Sequence, residues 1–403
     1  MPKSPIDSKS AGRRNEKLIL SLLRKHGSLS QTQLCRLVGI GSSTASTIVA
    51  RLREKGLVLE NRGISDRRGP KPVILRLNPV CYTVIGIEIN PSYCSIGLFD
   101  FVGQLIEKVQ LSLGPNHSAE YVLGLIAGRL NDLLGTRNIS SGSVLGAGVT
   151  LSGSVSSGGV VHLSSPLGWK DVPLRQMLSE HFQFPIAVYS NRVRLLAEIA
   201  ADPDLASKDI LYLNVANGVG STISMNGRLV FGATGRYGEI GHNVIDPTGP
   251  VCGCGHRGCL EAHISGPALA AKIERDLING TQTIISKGLD KNSTPEMLLA
   301  SWPDAVAAQD PYAIILRDYV AERLSRCAAE AINSYDPDVV ILAGYVNLLF
   351  AEEFARAIRE QINRAVYDND VRQIEIRPAK AGEDALIYGI CAAVLQDMLE
   401  AAW

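Results

Sequence analysis

The chain has 403 residues, of which 46% are apolar, so it can bury large cores, and its length suggests two to three domains. No apolar run is long enough to span a bilayer, and the polar N-terminal segment has no apolar stretch typical of a secretory signal. Three of the eight cysteines lie close together and five are scattered in apolar contexts, a pattern of reduced thiols that favours a cytoplasmic protein.

The formal net charge is zero, but the two signs are unevenly distributed along the chain. Residues 1–80 carry 16 Lys and Arg against 5 Asp and Glu, whereas the remaining residues carry 24 against 35. A basic head on an acidic body indicates that only the head meets a polyanion such as DNA.

The basic head begins with two predicted helices. Residues 1–14 are polar and rich in Lys and Ser, and we interpret them as a flexible arm. From Asn15 an apolar stripe predicts a helix that ends at Gly27, with buried positions Leu18, Ile19, Leu22 and Leu23. A second helix starts at Ser30, whose side chain can cap the helix together with Gln33, and its expected buried residues are Leu34, Leu37 and Val38.

A third helix is predicted from Ser42 to about Lys55, and its two faces differ in chemistry. One face is apolar, with Ala45, Ile48, Val49 and Leu52. The other presents small hydroxyls near a free helix start and a cation further along, which suits close approach to base edges and phosphates in a major groove. Its candidate DNA-binding residues are Ser42, Ser43, Thr44, Ser46, Thr47 and Arg51.

Two strands, Leu57 to Asn61 and Val73 to Leu77, are predicted on either side of a basic loop shaped by Gly and Pro. This loop is typical of a wing, and its candidate DNA contacts are Arg67, Arg68 and Lys71. We therefore expect residues 15–80 to form a winged helix-turn-helix domain that binds double-stranded operator DNA. The alternative is a three-helix interaction module with a solvated basic loop.

Residues 81–403 read as an α/β body in which one pattern occurs twice. Three successive strands with tight turns are predicted at 82–90, 93–101 and 104–113, and again at 210–215, 220–225 and 228–231. A helix at 119–134, strands at 144–151, 186–190, 339–343 and 373–377, and a final helix at 384–400 complete the body. This duplication predicts an actin-like, sugar-kinase-type ATPase fold with two lobes and a ligand cleft between them.

The loop of residues 238–261 contains a candidate metal site. Its cysteines follow the spacing Cys252-x-Cys254-x4-Cys259, and His242 lies ten residues upstream. Three thiolates and one imidazole are the ligands of a closed, structural Zn²⁺ site, and the interspersed glycines let the backbone aim them at one point. Buried free thiols are the alternative.

The same loop carries a family resemblance. The runs Gly-Glu-Ile-Gly-His, Asp-Pro-x-Gly-Pro and Cys-x-Cys-Gly-x-x-Gly-Cys-Leu-Glu resemble the signature of the ROK family of repressors, open reading frames and sugar kinases. The likeness covers essentially the whole chain, and the head resembles the DNA-binding domain attached to ROK repressors, which ROK kinases generally lack.

Three departures from the kinase pattern argue against catalysis. The first phosphate-binding turn, Asp-x-Gly-Gly-Thr in the family, is replaced by residues 88–92, where Glu88 keeps the acid but Pro91 removes an N–H. The catalytic base, an Asp directly after an Asn, is replaced by Arg192, which cannot accept a proton. Tyr345 replaces a glycine of the adenine loop. We therefore expect no enzymatic activity.

The sugar-contacting positions are better preserved. By resemblance, Asn191, Glu239, His242 and Glu261 match family residues that hydrogen-bond sugar hydroxyls, with His242 also a zinc ligand. Structural capping within the zinc loop is the alternative for the two carboxylates. Arg192 would favour an anionic effector such as a sugar phosphate or sugar acid. Two alternative roles are considered for Trp169: stacking on a sugar ring, or packing beneath the loop of residues 163–169 to which it belongs.

Together these features predict a cytoplasmic DNA-binding regulator, a repressor of carbohydrate-related genes, controlled by a sugar-derived effector. We expect a homodimer or a dimer of dimers, Zn²⁺ as a structural cofactor and no membrane association. Two alternatives remain: a ligand-blind regulator controlled by a protein partner, and an active ROK sugar kinase.

Overall fold

The structure, a computed structural model, describes residues 8–62, 73–233, 235–285, 295–347, 349, 352–368, 372, 374–382 and 384–401. These residues form two compact units, one made of the chain up to Pro203 together with the C-terminal segment from 383, the other of Asp204–Gly382. Within the described ranges, no helix has both the length and the apolar character needed to cross a bilayer.

The head of the first unit is a small α/β domain. Its elements are α1 (Ser8–His26), β1 (Ser28–Ser30), α2 (Gln31–Val38), α3 (Ser42–Glu54), β2 (Val58–Arg62) and β3 (Val73–Leu77). The strands form an antiparallel sheet in the order β1-β3-β2, with Val58 opposite Leu77 and Ser28 opposite Arg76. The predicted capping box is confirmed, since Ser30 and Gln33 exchange side-chain to backbone hydrogen bonds at the start of α2.

Three details of the head differ from the sequence prediction. Helix α1 begins at Ser8 rather than Asn15, so residues 8–14 are helical and not part of a flexible arm. In α1 the buried apolar residues are Ile19, Leu20 and Leu23, whereas the expected Leu22 is half-buried and Leu18 is 40% exposed. Leu37 was expected in the core but is 51% exposed, because α2 is a short helix that buries one side chain, Leu34.

The rest of the first unit is built on a five-stranded sheet, in the order β11-β7-β4-β5-β6. Two antiparallel hairpins form its first half, and β4, β7 and β11 run parallel, covered on one face by helix α4. The elements are β4 (Thr83–Ile89), β5 (Tyr93–Asp100), β6 (Leu105–Ser112), α4 (Ala119–Thr136), β7 (Val144–Leu151), β8 (Ser154–Val155), β9 (Val161–Ser164), β10 (Trp169–Val172), α5 (Leu174–Ser179), β11 (Ile186–Ser190) and α6 (Arg194–Ala201).

Strands β8, β9 and β10 form a separate antiparallel sheet, and Trp169 opens the last of them. The Trp169 side chain is 3% exposed, and its indole Nε1 donates to the carbonyl of His117 at 2.6 Å. Of the two roles considered for Trp169, packing beneath its loop is therefore the one that the structure supports.

The second unit repeats the architecture, with a five-stranded sheet in the order β14-β13-β12-β15-β16. Strands β12 and β13 form a hairpin, and β12, β15 and β16 run parallel. The elements are β12 (Ile210–Val215), β13 (Val219–Met225), β14 (Arg228–Leu229), α7 (Leu260–Ile264), α8 (Gly266–Ile278), α9 (Pro295–Ala307), α10 (Pro311–Tyr335), β15 (Val339–Gly344), α11 (Glu352–Ala365) and β16 (Glu375–Pro378).

The last helix, α12 (Ala385–Ala401), returns to the first unit and packs on its sheet. The strands admit it through glycines: a Cβ on Gly148 would lie 2.4 Å from the side chain of Ile390, and one on Gly97 3.2 Å from that of Ile387. These glycines, which have no side chain, therefore form the groove of the sheet in which α12 lies.

Candidate functional site

The four predicted metal ligands converge within the second unit. The donor atoms of His242, Cys252, Cys254 and Cys259 all lie within 4.8 Å of one another. The Cys254 and Cys259 sulfurs are 3.7 Å apart, and Cys252 Sγ is 3.7 Å from His242 Nδ1. Tetrahedral Zn²⁺ with bonds of about 2.0–2.3 Å requires ligand separations of about 3.6–3.8 Å, so this donor set fits that ion.

Backbone geometry explains why the loop needs its glycines. Gly258 has φ +70°, and a Cβ there would lie 1.5 Å from the carbonyl oxygen of Asp246. Gly241 packs so closely on β13 that a Cβ would lie 2.0 Å from the carbonyl oxygen of Val219. The loop segment that carries His242 can therefore lie against the sheet, while the cysteine segment folds back on itself.

The three thiols lie in different environments. Hydrogen bonds from the His256 backbone and side chain lower the pKa of the exposed Cys254 thiol to about 6. Burial raises the pKa of Cys252, and burial raises the pKa of Cys259 to about 12. A bound cation favours the thiolate at each position. Its positive charge would stabilise the thiolate forms of Cys252 and Cys259, which burial disfavours.

Glu261 links this cluster to the start of β13. Its Oε2 accepts a hydrogen bond from the backbone N–H of Val219 at 2.9 Å, and its Oε1 lies 3.9 Å from Cys252 Sγ. Both carboxylate oxygens thus have neighbours within the protein. This supports the alternative role for Glu261, which is structural capping within the zinc loop. Glu239 is exposed and immediately precedes the short 3-10 helix Ile240–His242.

Asn191 and Arg192, the two remaining candidate effector residues, belong to the first unit, whereas Glu239, His242 and Glu261 belong to the second. Asn191 follows β11, and its amide is oriented by two hydrogen bonds, from Thr150 Oγ1 at 3.2 Å and to Ser152 Oγ at 3.0 Å. Because β7 and β11 are parallel, their carboxyl ends meet at one edge of the sheet, where open α/β sheets bind ligands.

Glu88 lies at the same sheet edge, opposite Thr150 in the register of β4 and β7. Burial raises the pKa of Glu88, and the positive charge of Arg194 acts in the opposite direction. The Tyr93 hydroxyl donates to Glu88 Oε1 at 3.3 Å. Of the two arginines after Asn191, Arg194 is thus the one whose charge acts on the acid of the altered phosphate turn.

Tyr345, which replaces the family's adenine-loop glycine, is fixed inside the second unit. Its ring centroid lies 6.0 Å from that of Trp302, and its hydroxyl donates to the Ile264 carbonyl. Burial raises the pKa of Tyr345 well above its ordinary value. The side chain therefore fills space and stays a neutral hydrogen-bond donor.

Helix α3 has the two faces that the sequence predicts. Ala45, Ile48, Val49 and Leu52 are buried. The six candidate DNA-binding residues of the helix are all exposed, and they are Ser42, Ser43, Thr44, Ser46, Thr47 and Arg51. Gly41 at the N-cap provides no side chain to bond the first N–H groups, so the helix start can bind a phosphate.

The side chains of three of these exposed residues, Ser46, Thr47 and Arg51, also have partners inside the head. Thr47 Oγ1 donates to the Ser43 carbonyl at 3.0 Å. Gln31 Nε2 of α2 donates to Ser46 Oγ at 2.6 Å, and Arg51 Nη2 forms an ion pair with Glu16 Oε1 at 2.8 Å. Glu16 is 4% exposed, so Arg51 neutralises a buried charge on α1. Sequence reasoning missed this pair, since no short-range spacing connects residues 16 and 51. The predicted wing contacts Arg67, Arg68 and Lys71 lie outside the described residues.

Comparison with known proteins agrees with both halves of the chain. A model of the ROK family matches residues 84–397, and one of the winged helix-turn-helix DNA-binding domain matches residues 13–58. A xylose repressor of Caldicellulosiruptor bescii is 27% identical over 389 residues, which cover 96% of each chain. A glucokinase of Thermotoga maritima is 26% identical over 317 residues, covering 77% of this chain and 96% of the enzyme.

A solved structure shares the fold over almost the whole chain. It is a ROK family transcriptional regulator, described as a homologue of the Escherichia coli MLC protein, with a TM-score of 0.82 and 20% identity over 96% of this chain and 98% of its own. This chain belongs to the ROK family and carries an N-terminal winged helix-turn-helix domain. The predicted fold class, an α/β sugar-kinase-like body with that head, is confirmed.

Proposed function

We propose that this protein is a transcriptional repressor that binds operator DNA through its head and is controlled by a sugar-derived effector. The observation that carries the proposal is the exposed hydroxyl face of α3, with its uncapped start, on a ROK body. In this proposal the head extends from α1, which begins at Ser8, to residue 80, and residues 81–403 form the effector domain. A dimer binds two operator half-sites.

The metal cluster has a structural role in the proposal. Zn²⁺ held by His242 and the three cysteines would fix the loop 238–261, on which Glu239 and Glu261 lie. The ion would supply positive charge that holds the thiolates together. Glu261, which bonds Val219 N–H, then connects the ion site to the neighbouring turn.

The effector residues in this proposal are Asn191, Arg192, Glu239, His242 and Glu261. The fixed amide of Asn191 suits recognition of a sugar hydroxyl, because its orientation is already set before the ligand arrives. An arginine at 192 favours a sugar phosphate or sugar acid over a neutral sugar.

The body acts as a sensor rather than a kinase. The arginine at 192 cannot serve as the base, and the partly buried Tyr345 occupies space next to Trp302 where the family has a glycine. The kinase alternative makes a distinct prediction: Arg192→Asp would raise ATP-dependent sugar phosphorylation above that of the unmodified protein.

A thermal-shift screen tests the proposal. The zinc-loaded protein is heated with neutral sugars, amino sugars, sugar phosphates, sugar acids, or ATP with Mg²⁺. We expect one sugar class to raise the unfolding temperature progressively with concentration, as binding to the native state requires. No stabilisation by any sugar would contradict effector control and favour the ligand-blind regulator with a protein partner.

A further inference from the structure

A cavity of about 890 Å³ lies within the second unit, between the loop 246–253 and helices α8 and α10. Its volume falls in the range of small-molecule sites. Glu261 and the metal ligand Cys252 are among its lining residues, but Glu239 and His242 are not. The cavity is therefore distinct from most of the proposed effector residues.

His263 of α7 contributes an unused polar atom to the cavity wall. The side chain is 6% exposed, and Nδ1 lies 2.9 Å from the Tyr319 hydroxyl, while Nε2 is buried without a hydrogen-bond partner in the described part of the chain. Burial lowers the pKa of His263, and Arg323 acts in the same direction, so the imidazole is neutral. In the tautomer in which Nδ1 accepts from the Tyr319 hydroxyl, the ring proton is on Nε2, and Nε2–H is a donor without an acceptor among the described residues.

Arg323 of α10 contributes a second unused donor. Its guanidinium carbon lies 3.5 Å from the centroid of the Tyr319 ring, and its Nη1 donates to the Tyr319 carbonyl at 3.3 Å. The Nε of Arg323 is buried and has no partner among the described residues. Stacking on Tyr319 thus holds this cation in place while leaving an N–H directed elsewhere.

The charged side chains around the cavity are largely paired with one another. Lys272 and Arg275 of α8 both pair with Asp276, at 2.7 and 3.9 Å, and Arg323 Nη1 pairs with Glu322 at 3.5 Å. Thr248 donates twice to Asp246 Oδ1, at 2.7 and 2.9 Å, and Val219 donates to Glu261, so the acceptors already have donors. Among the described residues of the wall, the groups without partners are Arg323 Nε, a donor, and His263 Nε2, a donor in the tautomer whose Nδ1 accepts from Tyr319.

We propose that this cavity binds a phosphorylated small molecule, whose phosphate oxygens accept hydrogen bonds from Arg323 and from Nε2–H of His263. A phosphate monoester offers several acceptors to one guanidinium, and it would pair both donors that the protein leaves unpaired. The cavity is much larger than phosphate alone, so the rest of the molecule lies towards Thr248 and the zinc loop. This inference does not depend on the proposed function.

The test uses inorganic phosphate as the probe, titrated into the zinc-loaded full-length protein by calorimetry at constant ionic strength. Arg323→Gln is expected to weaken phosphate binding about tenfold or more, because one charge-assisted contact is lost. Arg326→Gln is the matched control: it lies in the next turn of α10, is 65% exposed, pairs with Glu330 and does not line the cavity. We expect the Arg326→Gln variant to bind inorganic phosphate with the same affinity as the unmodified protein.

A second variant protects the test against misfolding of Arg323→Gln. Gly249→Ala places a Cβ 2.6 Å from His263 Nε2, so it should also weaken phosphate binding while leaving Arg323 in place. Equal affinity in Arg323→Gln and in the unmodified protein would overturn the proposal. The absence of any phosphate binding to the unmodified protein would also overturn it. The same holds if Arg192→Asn weakens phosphate binding and Gly249→Ala does not.

Discussion

The guanidinium Nη1 of Arg24, near the end of the first helix, donates to the carbonyl oxygen of Ala392 in the last helix at 3.4 Å. Burial lowers the pKa of Arg24 from its ordinary value, so the charge lies in a packed interface. This contact joins the DNA-binding head to α12, and it spans almost the full length of the chain.

Three residues before Ala392, the same helix also meets the segment that follows β11. A Cβ on Gly389 would lie 2.0 Å from the carbonyl oxygen of Val193, which directly follows the candidate effector residues Asn191 and Arg192. Helix α12 therefore contacts both the proposed effector segment and the head. A shift of the segment 191–193 can reach α1 through one rigid helix.

Arg24→Gln should uncouple the head from effector control while leaving the DNA-binding surface unchanged. We expect the ratio of operator affinities without and with effector to fall about fivefold or more, which corresponds to loss of a typical coupling free energy. Lys25→Gln, an exposed neighbour on α1, is the control and should keep the full ratio. Fluorescence anisotropy with labelled operator measures the affinities of both variants with and without effector. Equal affinity ratios in the two variants would exclude a role for Arg24 in coupling.

Gly389→Ala should destabilise the first unit, because the added methyl group meets the Val193 carbonyl. Overpacking of this kind typically costs about 1–3 kcal/mol. The control is Gly124→Ala on the exposed side of α4, where a Cβ meets no atom within 4 Å and should stabilise the helix by up to about 1 kcal/mol. Thermal unfolding of both variants distinguishes the close approach from a general effect of losing a glycine.

Cys259→Ser should abolish stoichiometric metal binding, since Cys259 is the fully buried member of the cluster. Loss of a structural site is expected to cost several kcal/mol and to lower the unfolding temperature to that of chelator-treated protein. Elemental analysis gives the metal content, and Cys35→Ser in the head serves as the control. One Zn²⁺ per chain in Cys259→Ser would contradict this ligand set.

Glu88→Gln should stabilise the protein at high pH. Burial raises the pKa of Glu88 in the folded state, so the folded chain binds this proton more tightly than the unfolded chain does. The resulting stability is present below the ordinary glutamate pKa of about 4.3 and is lost as the pH rises through the folded value. The variant should therefore melt higher than the parent at pH 8 and equally at about pH 4.

The exposed Glu180 provides the control for this pH dependence. Glu180→Gln should change the unfolding temperature little at either pH. A parent and a Glu88→Gln variant with parallel pH profiles would show that Glu88 carries no burial penalty.

Much of the fold follows from short-range patterns that the sequence displays directly. The alternation and turns at 82–113 predict β4 to β6 within two residues at each end, and the spacing of Cys252, Cys254 and Cys259 predicts a cluster that the fold brings together. These features depend on neighbouring residues, so tertiary contacts do not alter them.

Features set by long-range contacts could not be predicted in this way. The ion pair of Arg51 with Glu16, the contact of Arg24 with α12 and the contact of His263 with Tyr319 each join residues far apart in the chain. Leu37 illustrates the same limit: its apolar character suggested burial, but the described residues leave it 51% exposed.

The most direct test of the proposed repressor is its affinity for operator DNA with and without a sugar effector. A duplex selected from random sequence is labelled, and anisotropy of the zinc-loaded protein is measured with each sugar class that stabilises it. We predict nanomolar-range binding that one sugar class weakens about 5- to 150-fold, with Ser43→Glu on α3 abolishing binding and Ser21→Glu on α1 preserving it. Failure to select any duplex, or an affinity unchanged by every sugar, would contradict a sugar-responsive repressor.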